Sequence, residues 1–298
     1  MRILVTGGSG YVGSHAVREL AQAGHDIIIY DNLSTGDRKL SDGFKVVEGD
    51  IGDVGRLAPL LGQVDAVMHF AASAYVGESV NNPRKYFQNN VESALRLMDA
   101  ILASDVRKFI FSSSCAVYGS PEVLPIDENS PKNPINPYGA TKLFFERVLE
   151  AYRTSHGLRY VTLRYFNAAG AHASGLLGEI HNPETHLIPL ALKAVLGTAP
   201  PLKIFGNDFE TPDGTCIRDY IHVSDLGAAH SLALQYLAEG GDSISLNLGT
   251  GRGTSVKELI AAFYDLTGLR IPHEFGPRRV GDPPRLYGSA ARANDILG

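Results

Sequence analysis

Short apolar runs alternate with amphipathic stretches along the first half of the chain. Residues 3–6 are apolar and end in glycines, the pattern of a strand buried on both faces. A helix is expected over residues 11–23, stopped by Gly24. Further strands are expected at residues 25–30, 44–48, 65–70, 109–111 and 160–164. Helices at 54–61, 83–104 and 138–156 fall between them. In the 83–104 helix, Phe87, Val91, Leu95 and Met98 step along one face, which should turn inward. Strands alternating with helices at this spacing predict an α/β protein with a doubly wound parallel sheet.

The pattern loosens after Tyr165. Residues 170–185 carry no clear period. Beyond them the chain predicts a helix at 187–196, strands at 202–205, 217–222 and 244–248, and helices at 224–237 and 256–267. Residues 1–166 are therefore expected to form a Rossmann-type domain. Residues 167–298 form a smaller mixed α/β domain for substrate, from which strands can rejoin the main sheet. No internal repeat and no low-complexity tract interrupts the chain.

Composition narrows the class. The 298 residues are 44% hydrophobic and 20% charged, as in soluble globular proteins. A net charge of -5 argues against a general nucleic-acid or anionic-membrane surface. Cys115 and Cys216 lie in no metal-ligand spacing, so no metal is expected and both read as reduced thiols of a cytoplasmic protein. The first apolar run is too short for a signal-peptide core, and no run is long enough to span a membrane.

Gly8-Ser9-Gly10-Tyr11-Val12-Gly13 follows the first strand and opens a helix. Glycines there let the backbone approach a pyrophosphate, and the helix N-terminus supplies free N–H groups. Asp31 ends the next strand, where a carboxylate accepts hydrogen bonds from an adenosine ribose and repels a 2'-phosphate. NAD is thus expected over NADP, although the nearby Arg38 and Lys39 keep NADP in view. Asp50, before Ile51, suits either an adenine contact or a helix N-cap.

Tyr138 and Lys142 are one helical turn apart and share a face. A cation beside a phenol favours phenolate and lowers its pKa. With Ser114 at the end of the fifth strand they form a set suited to proton transfer at a hydroxyl beside a nicotinamide. Tyr138 would be the base, Lys142 its activator and ribose anchor, and Ser114 the hydrogen-bond partner of the reacting oxygen; without the glycine turn the pair reads as a surface tyrosine and a solvated lysine.

Residues 5–13, Ser112-Ser113-Ser114 and Tyr138-Gly139-Ala140-Thr141-Lys142 together resemble the extended short-chain dehydrogenase/reductases, the NAD-dependent epimerase/dehydratases. Residues 31–36, 69–72, 117–119, 163–167, 207–208, 213–215 and 217–223 narrow the resemblance to the UDP-glucose 4-epimerase branch, over essentially the whole chain. That resemblance implies a cofactor site. Gly7, Gly10, Tyr11, Val12 and Gly13 meet the pyrophosphate, and Asp31, Asn32, Leu33, Ser34, Thr35 and Gly36 the adenosine end. Asp50 and Ile51 meet the adenine, and Phe70, Ala71 and Ala72 the sugar-phosphate path. Asn89 is a polar contact behind that path, and Ser112, Tyr138, Lys142 and Phe166 lie towards the nicotinamide. Taken without the resemblance, Phe166 is a plain core aromatic.

For the substrate the resemblance implies Ser114, Asn167, Leu187, Lys203, Ile204, Phe205, Arg218, Arg279 and Asp282. An arginine fork suits a diphosphate and an aspartate suits ribose hydroxyls. From the residues alone, Arg218 equally forms an ion pair with Asp219, and Arg278-Arg279 a solvated charged loop. The implied reaction is reversible oxidation at C4 of a UDP-hexose. Tyr138 takes the hydroxyl proton, the hydride passes to tightly held NAD, and it returns to the other face of the 4-keto sugar.

Some positions depart from the pattern. Ala74 replaces a lysine of some members and His186 a common asparagine, while Leu286 is intermediate at the position that sets sugar size. Members usually continue beyond residue 298 through further helix. UDP-N-acetylglucosamine or UDP-pentose 4-epimerases are alternatives. A dehydratase needs an acidic pair where Cys115-Ala116 stand, and a non-catalytic NAD-binding regulator predicts a broken trio. The helices at 83–104 and 138–156 resemble those that pair two subunits of a homodimer, unless their apolar faces simply meet the sheet.

Overall fold

The computed structural model describes residues 1–279 and 281–298. In chain order the first part is Arg2–Thr6 (β1), Tyr11–Gln22 (α1), Asp26–Asp31 (β2), Lys45–Glu48 (β3), Val54–Leu61 (α2) and Ala66–His69 (β4). There follow Val76–Asn81 (α3), Pro83–Phe87 (α4), Ala94–Leu102 (α5), Lys108–Ser114 (β5), Pro137–His156 (α6) and Arg159–Tyr165 (β6). The second part runs Asn167–Ala169 (β7), Leu187–Val195 (α7), Leu202–Phe205 (β8), Ile217–Arg218 (β9), Tyr220–His222 (β10), Val223–Ala238 (α8) and Ile244–Leu248 (β11). It closes with Thr254–Ser255 (β12), Val256–Thr267 (α9), His273–Gly276 (β13), Arg285–Leu286 (β14) and Ala291–Leu297 (α10).

Seven parallel strands form the main sheet in the order β11-β6-β5-β4-β1-β2-β3. The order reverses direction at β1, so the ends of β1 and β4 part there and open the cleft in which such sheets bind ligands. Successive residues of β1 face opposite layers. Ile3 and Val5 join the core beneath α1 and α8, with Val17, Leu20, Leu226 and Leu234. Leu4 joins the other, with Leu57, Leu97, Phe109 and Phe145. Each such aliphatic side chain, withdrawn from water, contributes about 2 kcal/mol.

β11 pairs in register with β6, from Ile244 on Val161 to Leu248 on Tyr165. The sheet is therefore completed by residues from the second half of the chain. α8 packs on the α1 layer and Ala293 of α10 joins the same core. The remaining second-half strands make small sheets, β12-β9-β14, β13-β8 and β10-β7.

Two expected elements are drawn differently. The 83–104 helix is interrupted by a π-helical turn over Gln88–Ser93. Its inner face is Tyr86, Asn90, Ala94, Leu97, Met98 and Ile101, while Phe87 is 47% exposed. The reason is Asn90. Its side chain accepts from the Ser73 N–H at 2.8 Å and donates to the Ser73 carbonyl at 2.9 Å, so it must point inward. The 217–222 strand is broken at Asp219, whose fully buried carboxylate accepts from the N–H groups of Thr250 and Gly288. β9 and β10 thus pair with different neighbours.

Candidate active site

β1 turns through the glycines into α1. Gly7 has φ +75°, and a Cβ there would strike the Ala71 backbone nitrogen; one on Gly13 would strike the Gly7 carbonyl. The turn therefore lies against the end of β4, with Ala71 N–H bonded to Thr6 O at 3.1 Å. Asp31 is 7% exposed. Its carboxylate accepts from Ser9 N–H and Leu33 N–H, both at 2.9 Å. Burial raises its pKa, against those two bonds. Each carboxylate oxygen still has a lone pair to offer. Leu33, held by Asp31, is the one non-glycine residue with φ in the left-handed region among those described, at 55°.

Asn32 donates to Asp50 at 3.1 Å, which joins the two acidic loops expected at the adenosine end. Asp50 also accepts from Gly52 N–H; the N-cap of α2 is Asp53 instead. Ile51 is buried in the core with Tyr30. Phe70 lies 4.6 Å from the His230 ring, ring centre to ring centre. Asn89 donates to Ser73 Oγ at 3.2 Å, beside the buried Asn90. Tyr11 donates its hydroxyl to Gly170 O at 2.6 Å. Val12 packs on the core beneath the turn, while Ser34, Thr35 and Gly36 continue the loop from Asp31, with Gly36 against Ser9.

α6 is positioned by its first turn. Asn136 caps it, accepting from Gly139 N–H at 2.8 Å, and Pro137 opens it. Tyr138, Lys142 and Glu146 then follow at one-turn intervals along its buried face. Ser114 ends β5 opposite Tyr165 of β6. The structure brings Ser114 and Tyr138 together, both 8% exposed. Burial pushes the Tyr138 phenol up, and the Ser114 hydroxyl is the neighbour that draws it down. Lys142 is not what sets that shift. Its ammonium donates to Ser112 O at 2.7 Å and stands 5.8 Å from the Tyr138 ring centre. Burial pushes Lys142 down to about 7, against the pull of Glu146. Ser112 Oγ lies 2.6 Å from the Tyr165 hydroxyl, so the lysine's partner is itself held.

Behind the trio is a buried polar network. Arg164 grips Glu146 through Nε at 2.9 Å and a terminal nitrogen at 2.7 Å. Its other terminal nitrogen donates to the Tyr118 hydroxyl at 2.9 Å, and Tyr118 donates to Asn247 at 2.7 Å. Ser113 donates to Glu146 at 2.7 Å. α6, β5, β6 and β11 are thereby joined by hydrogen bonds beneath Tyr138.

On the substrate side Phe166 is buried with Leu286, Cys115 and Tyr118 in one cluster. Asn167 N–H bonds to Asp219 O at 2.9 Å. Arg218 does not pair with Asp219; its partner is Asp282 at 3.5 Å, which also accepts from Arg279 at 2.8 Å. Arg218 is 8% exposed, and the buried terminal nitrogen that faces Asp282 at 3.5 Å makes no hydrogen bond among the described residues. Arg279 lies over Phe205 at 5.0 Å. Lys203 and Phe205 share one face of β8, while the Ile204 side chain is buried in the opposite core with Ala191 and Ala194. Leu187 packs against that core from the first residue of α7.

Sequence reasoning passed over Asn90 and Glu146, gave Arg164 no role of its own, and read Asp219 only as a partner for Arg218. Glu146 was within reach, since it continues the one-turn spacing of Tyr138 and Lys142. Asp219 and Asn90 gave no such signal, because their partners are distant in sequence.

The sequence model of the NAD dependent epimerase/dehydratase family matches residues 3–249. The chain belongs to this family. UDP-glucose 4-epimerase of Azospirillum brasilense is 50% identical, over 100% of this chain and 86% of that protein. A UDP-glucose 4-epimerase structure from Brucella ovis in complex with NAD superposes with a TM-score of 0.96, at 52% identity, covering 100% of this chain and 92% of the other. One from Bifidobacterium longum in complex with NAD+ and UDP has a TM-score of 0.95 at 38% identity, again covering 100% and 92%.

The residues present fit the dinucleotide of this epimerase/dehydratase family. The glycine turn has no room for side chains at Gly7 and Gly13, the N-terminus of α1 follows it with N–H groups suited to a pyrophosphate, and the Asp31 carboxylate beside it has lone pairs suited to ribose hydroxyls.

Proposed function

We propose that this chain is an NAD-dependent epimerase that interconverts UDP-glucose and UDP-galactose through a transient 4-keto sugar. The observation that carries this is the meeting of Tyr138 and Ser114 above Lys142, on the cleft side of the sheet. Tyr138 removes the proton of the C4 hydroxyl and returns it. Ser114 hydrogen-bonds the same oxygen, holding it against the phenol. Lys142, fixed by Ser112, stabilises phenolate as it forms whenever it carries its proton. Bound NAD would supply the acceptor, and then the donor, of the C4 hydride.

Epimerisation needs the sugar to present both faces while the nucleotide stays put. The terminal nitrogen of Arg218, held only loosely by Asp282 at 3.5 Å, suits a diphosphate oxygen, and Asp282 and Arg279 suit the uridine end. Asn167, Leu187, Lys203, the Ile204 backbone and Phe205 complete that wall. Residues 1–166 serve the cofactor and 167–298 the nucleotide sugar, with α8, β11 and α10 returned to the cofactor sheet.

The chain acts as a homodimer in the cytoplasm. Val80 is 43% exposed, Phe87 47% and Phe144 45%, on α3, α4 and α6, a neighbouring set of apolar side chains suited to a second copy. Both thiols are free, as in a reducing compartment. Sedimentation should give a dimer, and Phe144→Glu a monomer.

The deciding experiment supplies UDP-galactose to purified protein without added NAD and resolves the product sugars by chromatography. UDP-glucose is expected. Its absence even after NAD is supplied would refute the assignment.

A further inference from the structure

Four side chains converge in the segment between β7 and α7. Glu179, His181, Glu184 and His186 each offer one donor atom, and these atoms all lie within 4.8 Å of one another. His181 Nδ1 is 3.2 Å from Glu179 Oε1 and 3.7 Å from Glu184 Oε2. His186 Nδ1 is 2.6 Å from Glu179 Oε1 and 3.0 Å from Glu184 Oε1. Both rings turn the same nitrogen towards the same two carboxylates.

Those carboxylates are deep, with side chains 8% and 4% exposed. Among the described residues their ion-pair partners are the two histidines, with no lysine or arginine. Burying two like charges side by side is costly without a counter-charge. An imidazole supplies one only when protonated. A divalent ion supplies it when the imidazoles are neutral, the form in which they are ligands. Tetrahedral zinc, with bonds of about 2.0–2.2 Å, holds its donor atoms roughly 3.4 Å apart. Of the four histidine-to-glutamate separations, which reach both oxygens of Glu184, three are shorter than that spacing and one is longer, so small side-chain rotations would bring the donors to it. The expectation of no metal came from cysteine spacing, which does not bear on a histidine and glutamate set.

We propose that Glu179, His181, Glu184 and His186 form a structural binding site for a divalent transition-metal ion of the zinc class. Four protein donors leave no open position for a reacting water, so the ion serves the fold. The segment it would fasten has neither helix nor strand over residues 170–186. Tyr11 reaches its start through the bond to Gly170 and stands edge-on to His181 at 6.4 Å. Tyr75 packs on His181 at 5.7 Å and on His186 at 5.8 Å. An ion here would fix the segment over Tyr11, at the glycine turn, and set the start of α7. The donor geometry does not depend on which sugar the enzyme turns over.

The test uses untagged full-length chain, stripped with a chelator and dialysed against Zn²⁺ or Co²⁺ alone. We expect one ion per chain by elemental analysis, the intense visible bands of tetrahedral Co²⁺, and a higher melting temperature with Zn²⁺. His181→Ala and Glu184→Gln each remove a direct ligand and should weaken binding by more than the roughly 10–100-fold that losing an outer-shell partner costs. His186→Asn, at a side chain 43% exposed, serves if those variants fail to fold, and should abolish the tetrahedral spectrum. A wild-type chain that takes up no more ion than the variants, with an unmoved melting temperature, overturns the proposal and leaves a plain histidine–glutamate hydrogen-bond network. Such a failure leaves conversion of UDP-galactose intact, so the two are distinguishable.

Discussion

Glu146 and Arg164 meet as a two-pronged ion pair in the protein interior, at 2.9 and 2.7 Å, with side chains 7% and 4% exposed. Glu146 lies one helical turn beyond Lys142, so the pair fixes the rotation of the helix that carries Tyr138. Removing one partner leaves a buried charge unmatched. Glu146→Gln should therefore cost about 3–5 kcal/mol in urea unfolding. A loss below about 1 kcal/mol would show that the pair is not what holds α6 to β6.

Tyr138→Phe should keep the fold and the bound NAD yet lower turnover by about 10²–10⁴-fold, the usual worth of a positioned acid-base group. Cofactor retention is read by absorbance of the purified protein. Undiminished turnover would remove Tyr138 from the proton path.

Arg218→Met should weaken UDP binding by roughly tenfold to a hundredfold, since a hydrogen bond to a charged group contributes about 1.5–3 kcal/mol. NAD content should not change, because Arg218 lies among the second-half strands. Titration calorimetry with UDP decides it; unchanged affinity would mean that the Arg218 guanidinium serves something other than the nucleotide.

His230 is fully buried, with Nδ1 2.7 Å from Leu226 O and no partner at Nε2 among the described residues. Burial pushes its pKa from 6.5 down to about 4, and burial likewise takes His69 to about 3. Between pH 6.5 and 4 the unfolded chain binds a proton that the native imidazole refuses. The His230 contribution should thus be level above pH 6.5 and fall as pH drops towards 4, by on the order of 3 kcal/mol. His230→Gln should flatten part of that slope in urea midpoints measured across the range. Identical slopes for variant and wild type would contradict the assignment.

Leu286 is 8% exposed and packs with Phe166 and Cys115, next to Ser114. Leu286→Ala should open that wall and raise kcat/KM for UDP-N-acetylgalactosamine relative to UDP-galactose by about tenfold or more. An unmoved ratio would place the size limit elsewhere.

Much of the fold was legible because its signals are local. The apolar run of β1, the glycine turn and the one-turn spacing of Tyr138 and Lys142 are each read within a few residues. The strands 202–205 and 244–248 and the helices 54–61 and 256–267 lie where their patterns put them. The inner face of 83–104 did not follow its apolar residues. Asn90 is drawn inward by the Ser73 backbone and Thr141, so Phe87 is left outside. Hydrophobicity carries no record of that bond. Likewise the apolar alternation of 217–222 reads as one strand, and only the N–H groups gathered around Asp219 break it.

The sequence by itself determined the doubly wound sheet, the glycine turn after β1, and the placing of Tyr138 and Lys142 one turn apart on one helix, because those rest on periodicity and on short-range spacing. Tertiary structure alone decided what surrounds them. It assigned Lys142 to the Ser112 carbonyl, paired Arg218 with Asp282 rather than Asp219, and gathered two histidines and two glutamates from a segment without period. Those partners are chosen by proximity in space and by the cost of leaving charge buried and unmatched, and neither quantity exists until the chain has folded.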